Sequence, residues 1–150
     1  MTTLPVRVVS DSTCNVPRDL LEKYRIPLVP ILVLFGRETY REGIDITERE
    51  FYDRVERTGV VPTTSQPPAG AFAEVYRRLA KEPCQILSIH LTGRLSGVIA
   101  SAHAAAQMVP EADVALFDTL SVSMGSGFCV LEAARMAEAG ASRDEIVARL

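Results

Sequence analysis

The sequence predicts an α/β fold in which a mainly parallel sheet carries helices on both faces. Short apolar runs have the composition of buried strands, and they occur at residues 6–10, 85–90 and 113–118. Stretches with apolar residues at helical spacing alternate with the later strands, at residues 69–81, 97–108 and 125–139. Strands that alternate with helices of about ten or more residues are typical of parallel sheets covered on both sides.

The first third of the chain is less regular. Pro17 suits the first position of a helix over residues 18–24. Residues 28–35 are apolar and β-rich, but Pro30 favours an edge strand or an irregular entry there. Residues 39–41 predict a short strand that returns after a turn.

Two capping boxes mark helix starts, Thr47 with Glu50 and Ser142 with Glu145. The first opens a helix that we expect to run to residue 58. The sequence breaks off at Leu150, soon after the second box, and natural domains rarely stop so close to a helix start. We therefore expect residues 1–150 to form a single α/β domain, the N-terminal part of a longer two-domain protein.

Composition and charge narrow the classes of function. The chain is 47% hydrophobic and 23% charged, as ordinary globular domains are. Its net charge of −3 gives no basic stripe for a nucleic-acid partner. The three cysteines are dispersed without CxxC spacing, which predicts neither a disulfide framework nor a zinc site. The longest apolar run, residues 26–35, is too short to span a membrane. These features predict a cytoplasmic domain that carries no metal or cofactor.

Two hydroxyl-rich segments are the most informative part of the sequence. One is the run from Thr63 through Thr64 and Ser65 to Pro68, and the other ends in Ser96 and Gly97. Each is predicted to lie at a helix N-terminus, where unpaired backbone N–H groups and a partial positive charge suit an anion. We expect Thr64, Ser65 and Ser96 to donate hydrogen bonds to a ligand anion, and Gly97 to let it approach the backbone. A simpler interpretation remains open, in which Ser65 and Ser96 only cap the following helices.

The loops after three predicted strands are rich in Ser, Thr and Asp: residues 10–14, 91–96 and 118–124. Ligands of open parallel sheets bind beyond the carboxyl ends of the strands, so these loops are expected to border the site.

No convincing catalytic set accompanies these loops, so the sequence favours a binding protein with no catalytic residues. The alternative is a hydrolase or phosphotransferase that uses Asp11 or Cys14 as nucleophile. No base for Cys14 is evident, and Thr13 stands where a second metal-binding acid would be needed after Asp11. His90 follows a strand, and a buried, hydrogen-bonded histidine is the simpler interpretation of it.

A series of motifs resembles the DegV family in sequence and in order along the whole chain. They are Ser10-Asp11-Ser12-Thr13, Val29-Pro30-Ile31 before Phe35-Gly36, residues 40–45 with Glu50-Phe51-Tyr52, Pro62-Thr63-Thr64-Ser65-Gln66-Pro67, Leu95-Ser96-Gly97 with Ser101-Ala102, and residues 121–127.

The resemblance implies a fatty-acid-binding protein, the acyl-carrying subunit of a bacterial fatty acid kinase system. In that family, hydroxyl groups of the two hydroxyl-rich motifs hold the carboxylate, which implies Thr64, Ser65 and Ser96 here, with Gly97 beside them. The acyl chain of a long-chain fatty acid lies in an apolar tunnel between the α/β domain and a second α+β domain. A separate kinase catalytic subunit phosphorylates the bound acid with ATP, so the binding protein performs no chemistry.

The sequence departs from the family pattern in two places. Val98 and Ile99 stand where Thr-Tyr is common, and Thr92 and Gly93 replace a common Ser-Ser. Both changes make the predicted site more apolar. Family members are also nearly twice as long, and their second domain helps to cover the tunnel and supplies a histidine near the carboxylate. We therefore expect residues 1–150 to correspond to the first domain of such a protein.

Overall fold

The computed structural model describes residues 4–150 and contains two sheets and six α-helices in that part of the chain. The strands are β1 (Val6–Asp11), β2 (Leu28–Val29), β3 (Leu32–Phe35), β4 (Glu38–Arg41), β5 (Thr63–Ser65), β6 (Gln85–His90) and β7 (Asp113–Asp118). The helices are α1 (Arg18–Lys23), α2 (Glu48–Thr58), α3 (Ala69–Leu79), α4 (Val98–Met108), α5 (Met124–Glu138) and α6 (Arg143–Arg149).

The main sheet is parallel, as the sequence predicts. It has four strands in the order β2-β1-β6-β7. Neighbouring residues of one strand pack in separate hydrophobic cores, because successive side chains point to opposite faces of a sheet. Val8 and Leu87 pack in a core with α5 and α6, whereas Val9 and Ile86 pack in a core with α3 and α4. Helices therefore cover both faces, which confirms the predicted fold class.

A second, antiparallel sheet has the order β4-β3-β5. The predicted return strand at residues 39–41 is present as β4, but β5 and the separation into a second sheet were not predicted. The β-rich run at residues 28–35 is in fact two strands in different sheets, separated by Pro30 and Ile31. Pro30 has no N–H to donate to a ladder, and the N–H of Ile31 donates to Ser12 Oγ at 3.0 Å instead. The break at Pro30 thus passes the chain from one sheet to the other.

Helix α2 covers this small sheet. Val33, Phe35 and Ile46 form its buried core. Arg54 of α2 lies 4.4 Å from the centroid of the Phe35 ring and pairs with Glu38 of β4. The small sheet holds β5 in place through β3, so it positions the hydroxyl-rich segment of β5.

The predicted helix starts are confirmed at both capping boxes, where Thr47 and Ser142 accept from backbone N–H groups three residues on. Gly140 follows α5 with a φ of 84°, a left-handed conformation that favours glycine after a helix. Pro17 precedes α1 as its N-cap instead of occupying the first helical position. Within residues 4–150, no helix is long and apolar enough to cross a membrane.

Candidate functional site

A cavity of about 220 Å³ opens at the carboxyl end of the parallel sheet. Its lining includes the four predicted ligand-binding residues, Thr64, Ser65, Ser96 and Gly97. The other lining residues are Thr13, Ile31, Gln66, Leu91 and Leu95. Residues that are far apart in the sequence therefore meet here.

Ser96 and Gly97 form the wall of the cavity at the start of α4. Gly97 is the N-cap of α4 with a φ of −79°, so its conformation does not require glycine. Ser96 Oγ accepts a hydrogen bond from the N–H of Val98 at 3.3 Å. This bond occupies a lone pair and leaves the hydroxyl hydrogen of Ser96 available as a donor.

Gly97 permits a close approach to the backbone, but the group that approaches it is the side chain of Gln66 and not a ligand. A Cβ at position 97 would lie 3.0 Å from Cδ of Gln66. The absence of a side chain at Gly97 therefore lets Gln66 pack across the cavity between β5 and α4.

Thr64 and Ser65 lie on strand β5 and not at a helix N-terminus, which corrects the prediction for this segment. They pair with Val33 and Leu32 of β3. Helix α3 begins only at Ala69, and its N-cap makes no side-chain hydrogen bond. Ser65 therefore does not cap a helix, and its hydroxyl makes only a long contact of 3.4 Å with the Gln66 carbonyl. The cavity therefore lies between the N-terminus of α4 on one side and strand β5 on the other.

Behind the cavity, buried polar side chains form a continuous hydrogen-bonded chain. Asp11 Oδ2 lies 2.8 Å from His90 Nδ1, and both side chains are at most 1% exposed. His90 Nε2 lies 2.7 Å from Ser88 Oγ, which accepts from the Tyr76 hydroxyl at 2.8 Å. Burial raises the pKa of Tyr76 to about 12, so the phenol keeps its proton and acts as the donor. We name Asp11, His90, Ser88 and Tyr76 the buried relay.

The surroundings of Asp11 favour the ionised form of its carboxyl group. Burial alone would raise its pKa, but the hydrogen bond and charge of His90, with two hydrogen bonds from Thr13, outweigh that effect and lower the pKa below its ordinary value. Asp11 Oδ1 accepts from both the N–H and the hydroxyl of Thr13. Because Asp11 is an acceptor on both oxygens, the hydrogen between it and His90 resides on Nδ1.

The geometry gives no support to Asp11 or Cys14 as a nucleophile. Both oxygens of Asp11 are engaged by His90 and Thr13, and its side chain is buried. Cys14 is 1% exposed, and burial raises the pKa of its thiol, which disfavours the reactive thiolate. Among residues 4–150, no group of three or more His, Cys, Asp or Glu side chains is arranged to hold a metal ion.

The loop after β7 braces the loop that carries Ser96. Asp118 accepts from the N–H of Gly93 at 3.0 Å and from the N–H of Leu120 at 2.8 Å. The Thr92 N–H donates to the Ser121 carbonyl at 2.9 Å. Because both loops share these bonds, the position of Ser96 depends on the loop after β7.

Exposed apolar side chains lie on the same two loops and on the first turns of α5. Their exposed fractions are 77% for Leu95, 66% for Leu120, 45% for Val122 and 66% for Phe128. Leu95 lines the cavity, and the other three lie on or after the loop that is hydrogen-bonded to the loop of Leu95. Groups of exposed apolar residues are typical of a surface that binds an apolar ligand or partner.

A larger cleft of about 610 Å³ lies between α2 and the β2–β3 break. It contains none of the predicted ligand-binding residues. Its lining includes Val33, Phe51 and Glu42, and one carboxylate oxygen of Glu42 is buried without a hydrogen-bond partner among the described residues.

The loops at residues 10–14 and 91–96 were expected to border the site, and Thr13 and Leu91 of these loops do line the cavity. Ile31 and Gln66 were not predicted as parts of its wall. Thr13 and Leu91 follow the ends of β1 and β6, which are adjacent in the sheet. That position was the available signal, since parallel strands bring their following loops together. No comparable signal exists for Gln66, because its position depends on the unpredicted strand β5.

Comparison with known proteins agrees with this fold. The model of a family described as "Uncharacterised protein, DegV family" matches residues 5–150. Protein DegV of Bacillus subtilis is 40% identical over 140 residues, which cover 93% of this chain and 50% of that protein. A DegV domain-containing protein of Clostridium perfringens is 33% identical over 141 residues, covering 94% of this chain and 50% of its own length.

Solved structures show the same arrangement. DegV of Bacillus subtilis, a fatty acid binding protein, superposes with a TM-score of 0.93 at 37% identity over 98% of this chain and 52% of that one. A DegV family protein from Thermus thermophilus, described by its fatty acid binding, has a TM-score of 0.88 at 37% identity, over 97% of this chain and 52% of its own. The chain spans about half the length of the relatives it matches. The match across residues 5–150 and the agreement in fold show that this chain belongs to the DegV family.

Proposed function

We propose that this chain is a lipid-binding domain that holds the head group of a long-chain fatty acid between β5 and the N-terminus of α4. The observation that carries the proposal is the convergence of Thr64, Ser65, Ser96 and Gly97 on one cavity. The fatty acid binding of the relatives from Bacillus subtilis and Thermus thermophilus supports the same class of ligand.

The chemistry of the wall suits an acidic head group. Ser96 has a free hydroxyl hydrogen, and the N-terminus of α4 adds unpaired N–H groups and a partial positive charge. Thr64 is exposed on β5 and engages no other side chain among the described residues. A carboxyl group here would therefore meet several hydrogen-bond donors and no fixed negative charge in the cavity lining.

The acyl chain is proposed to run over the exposed apolar side chains of Leu95, Leu120, Val122 and Phe128. Each buried methylene contributes about 0.8 kcal/mol, so a long chain supplies on the order of 10 kcal/mol before the cost of association. We propose that the chain corresponds to the N-terminal half of a two-domain cytoplasmic protein, in which a second domain covers the other side of the acyl chain. The domain alone should then bind fatty acid more weakly than the two-domain protein.

The proposed role is to sequester the acid and present it to a separate kinase subunit, which forms the acyl phosphate. The engagement of both Asp11 oxygens and the burial of Cys14 support a binding role without chemistry of its own. No cofactor is needed for this role.

Mass spectrometry of an organic extract from the purified protein tests the ligand class. We expect fatty acid to be recovered from the 150-residue chain, and in higher yield from a form extended to the length of its relatives. If neither form yields fatty acid, and neither takes it up when it is added, the proposed function is wrong.

A further inference from the structure

Two hydroxyl groups in the cavity wall have opposite hydrogen-bonding polarity. Ser96 Oγ accepts from the Val98 N–H, so its own hydrogen is free to be donated. Thr13 lines the same cavity, but its hydroxyl is engaged from behind by Asp11. A threonine hydroxyl has one hydrogen and two lone pairs. The hydrogen bond that it makes with Asp11 therefore determines whether the hydrogen or only the lone pairs remain for a ligand in the cavity.

The partner behind Thr13 accepts only. Oδ1 of Asp11 already accepts the Thr13 backbone N–H, and its Oδ2 is occupied by His90, so both oxygens act as acceptors; the lowered pKa of the carboxyl group agrees with this. The single hydrogen of the Thr13 hydroxyl is therefore donated to Asp11 Oδ1, which also accepts the Thr13 backbone N–H at 3.0 Å. The hydrogen-bonding capacity that the Thr13 hydroxyl has left for a ligand in the cavity is therefore a pair of acceptor lone pairs.

The buried relay fixes this polarity. Asp11 cannot turn away from Thr13 without breaking its bond to His90, and His90 is held in turn by Ser88. Phe72 packs edge-on against the His90 ring, with the ring centroids 5.1 Å apart. Asp11, Ser88, His90 and Phe72 are buried, so water does not compete for the hydrogen bonds between Asp11, His90 and Ser88.

We propose that Thr13 is a specificity-determining residue that accepts a hydrogen bond from the ligand, so that the cavity selects lipids whose head group carries an O–H. Such a head group places an acceptor oxygen at Ser96 and a donor O–H at Thr13. A carboxylic acid in its O–H form satisfies both, and a fatty alcohol also does, since its oxygen accepts and donates. A methyl ether or ester of the same chain satisfies only Ser96. This inference rests on the proposed function and adds the polarity of its head-group site.

Paired probes of equal chain length test the polarity. Stearyl alcohol and stearyl methyl ether differ only in whether the terminal oxygen carries a hydrogen or a methyl group, and the Thr13→Val variant separates the loss of the O–H from the added volume of the methyl group. Stearic acid reports whether the site binds fatty acids at all. Affinities would be measured by displacement of a fluorescent fatty acid from the native protein, Thr13→Val and Thr13→Ser. Valine has the shape of threonine without the hydroxyl, and serine keeps the hydroxyl.

We expect the native protein and Thr13→Ser to bind the alcohol about fivefold or more tightly than the ether. In Thr13→Val this ratio should fall to near one, because the alcohol loses affinity and the ether does not. The ratio is taken within each protein, so a general loss of stability in Thr13→Val cancels.

An alcohol-to-ether ratio near one in the native protein overturns the inference without any variant. A ratio that is unchanged in Thr13→Val overturns it as well, because the O–H would then be recognised elsewhere. In both cases, continued binding of stearic acid would leave the proposed function intact. Failure of all three lipids to bind would instead overturn the proposed function.

Discussion

The two sides of the sheet's carboxyl edge use similar polar residues for different purposes. Behind the cavity, every side-chain polar group of the buried relay has a partner at 2.7–2.8 Å, and Asp11, Ser88 and His90 are at most 1% exposed. At the cavity wall, Ser65 has only a long contact and Ser96 keeps a free hydrogen. A buried polar group without a partner is costly, whereas a group at the surface can exchange water for a ligand. The hydrogen-bonded polar groups of the buried relay therefore stabilise the fold, whereas the polar groups of the cavity wall that lack a full set of protein partners are available to bind a ligand.

The largest effect that this comparison predicts is a loss of protein stability when a side chain of the buried relay is replaced. Replacing Asp11 by alanine leaves His90 buried without its partner, which should lower the free energy of unfolding by about 3–5 kcal/mol. Urea denaturation measures this loss. Glu22→Ala is the matched control, since it removes a carboxylate from an exposed pair with Arg18 and should cost less than about 1 kcal/mol. Similar losses in both variants would contradict the distinction.

Acid should act on the same buried pair. The pKa of Asp11 is lowered in the folded protein, so its contribution to stability is complete above the ordinary value of 3.8. That contribution is lost as the pH falls through the lower, folded value. The gap in unfolding free energy between the native protein and Asp11→Asn should therefore stay constant from about pH 7 to about pH 5 and narrow as the pH falls further toward the folded pKa. A gap that also stays constant below about pH 5 would show that Asp11 is not the ionised partner of His90.

A smaller effect is expected at Gly97. A methyl group there would press on the Gln66 side chain, which is exposed and able to shift. Gly97→Ala should weaken fatty acid binding by only about two- to threefold, with a change in stability of less than about 1 kcal/mol. Titration calorimetry measures the change in affinity. The double variant Gly97→Ala with Gln66→Ala should recover part of any loss, and failure to recover it would mean that Gln66 is not the neighbour that matters.

The parallel sheet could be predicted from sequence because its strands and helices have strong, local patterns. The strands at residues 85–90 and 113–118 have the predicted bounds, and both capping boxes form. The antiparallel sheet could be predicted only in part, since the return strand at residues 39–41 was expected but β5 was not. Strand β5 has only three residues, Thr63–Ser65, without a buried side chain among them. It is a strand only because β3 pairs with it, and that information is not local.

The candidate site shows the same limit. Thr64, Ser65, Ser96 and Gly97 were predicted from motifs, and they do lie around one cavity. Their setting was predicted wrongly for Thr64 and Ser65, because the prolines after them resembled a helix start that comes only at Ala69. The pairing of Asp11 with His90 joins residues 79 positions apart, and nothing in either local segment specifies it.

The most direct test of the account is a calorimetric titration of oleic acid into the native protein, Ser96→Ala and Ser101→Ala. Ser96 lies in the cavity wall just before α4, whereas Ser101 lies within α4 and outside the cavity lining. We expect Ser96→Ala to weaken binding by about 1–3 kcal/mol, because a hydrogen bond to an acidic head group is lost, and Ser101→Ala to leave it unchanged. Equal affinity in Ser96→Ala and the native protein would contradict the claim that this cavity holds the head group.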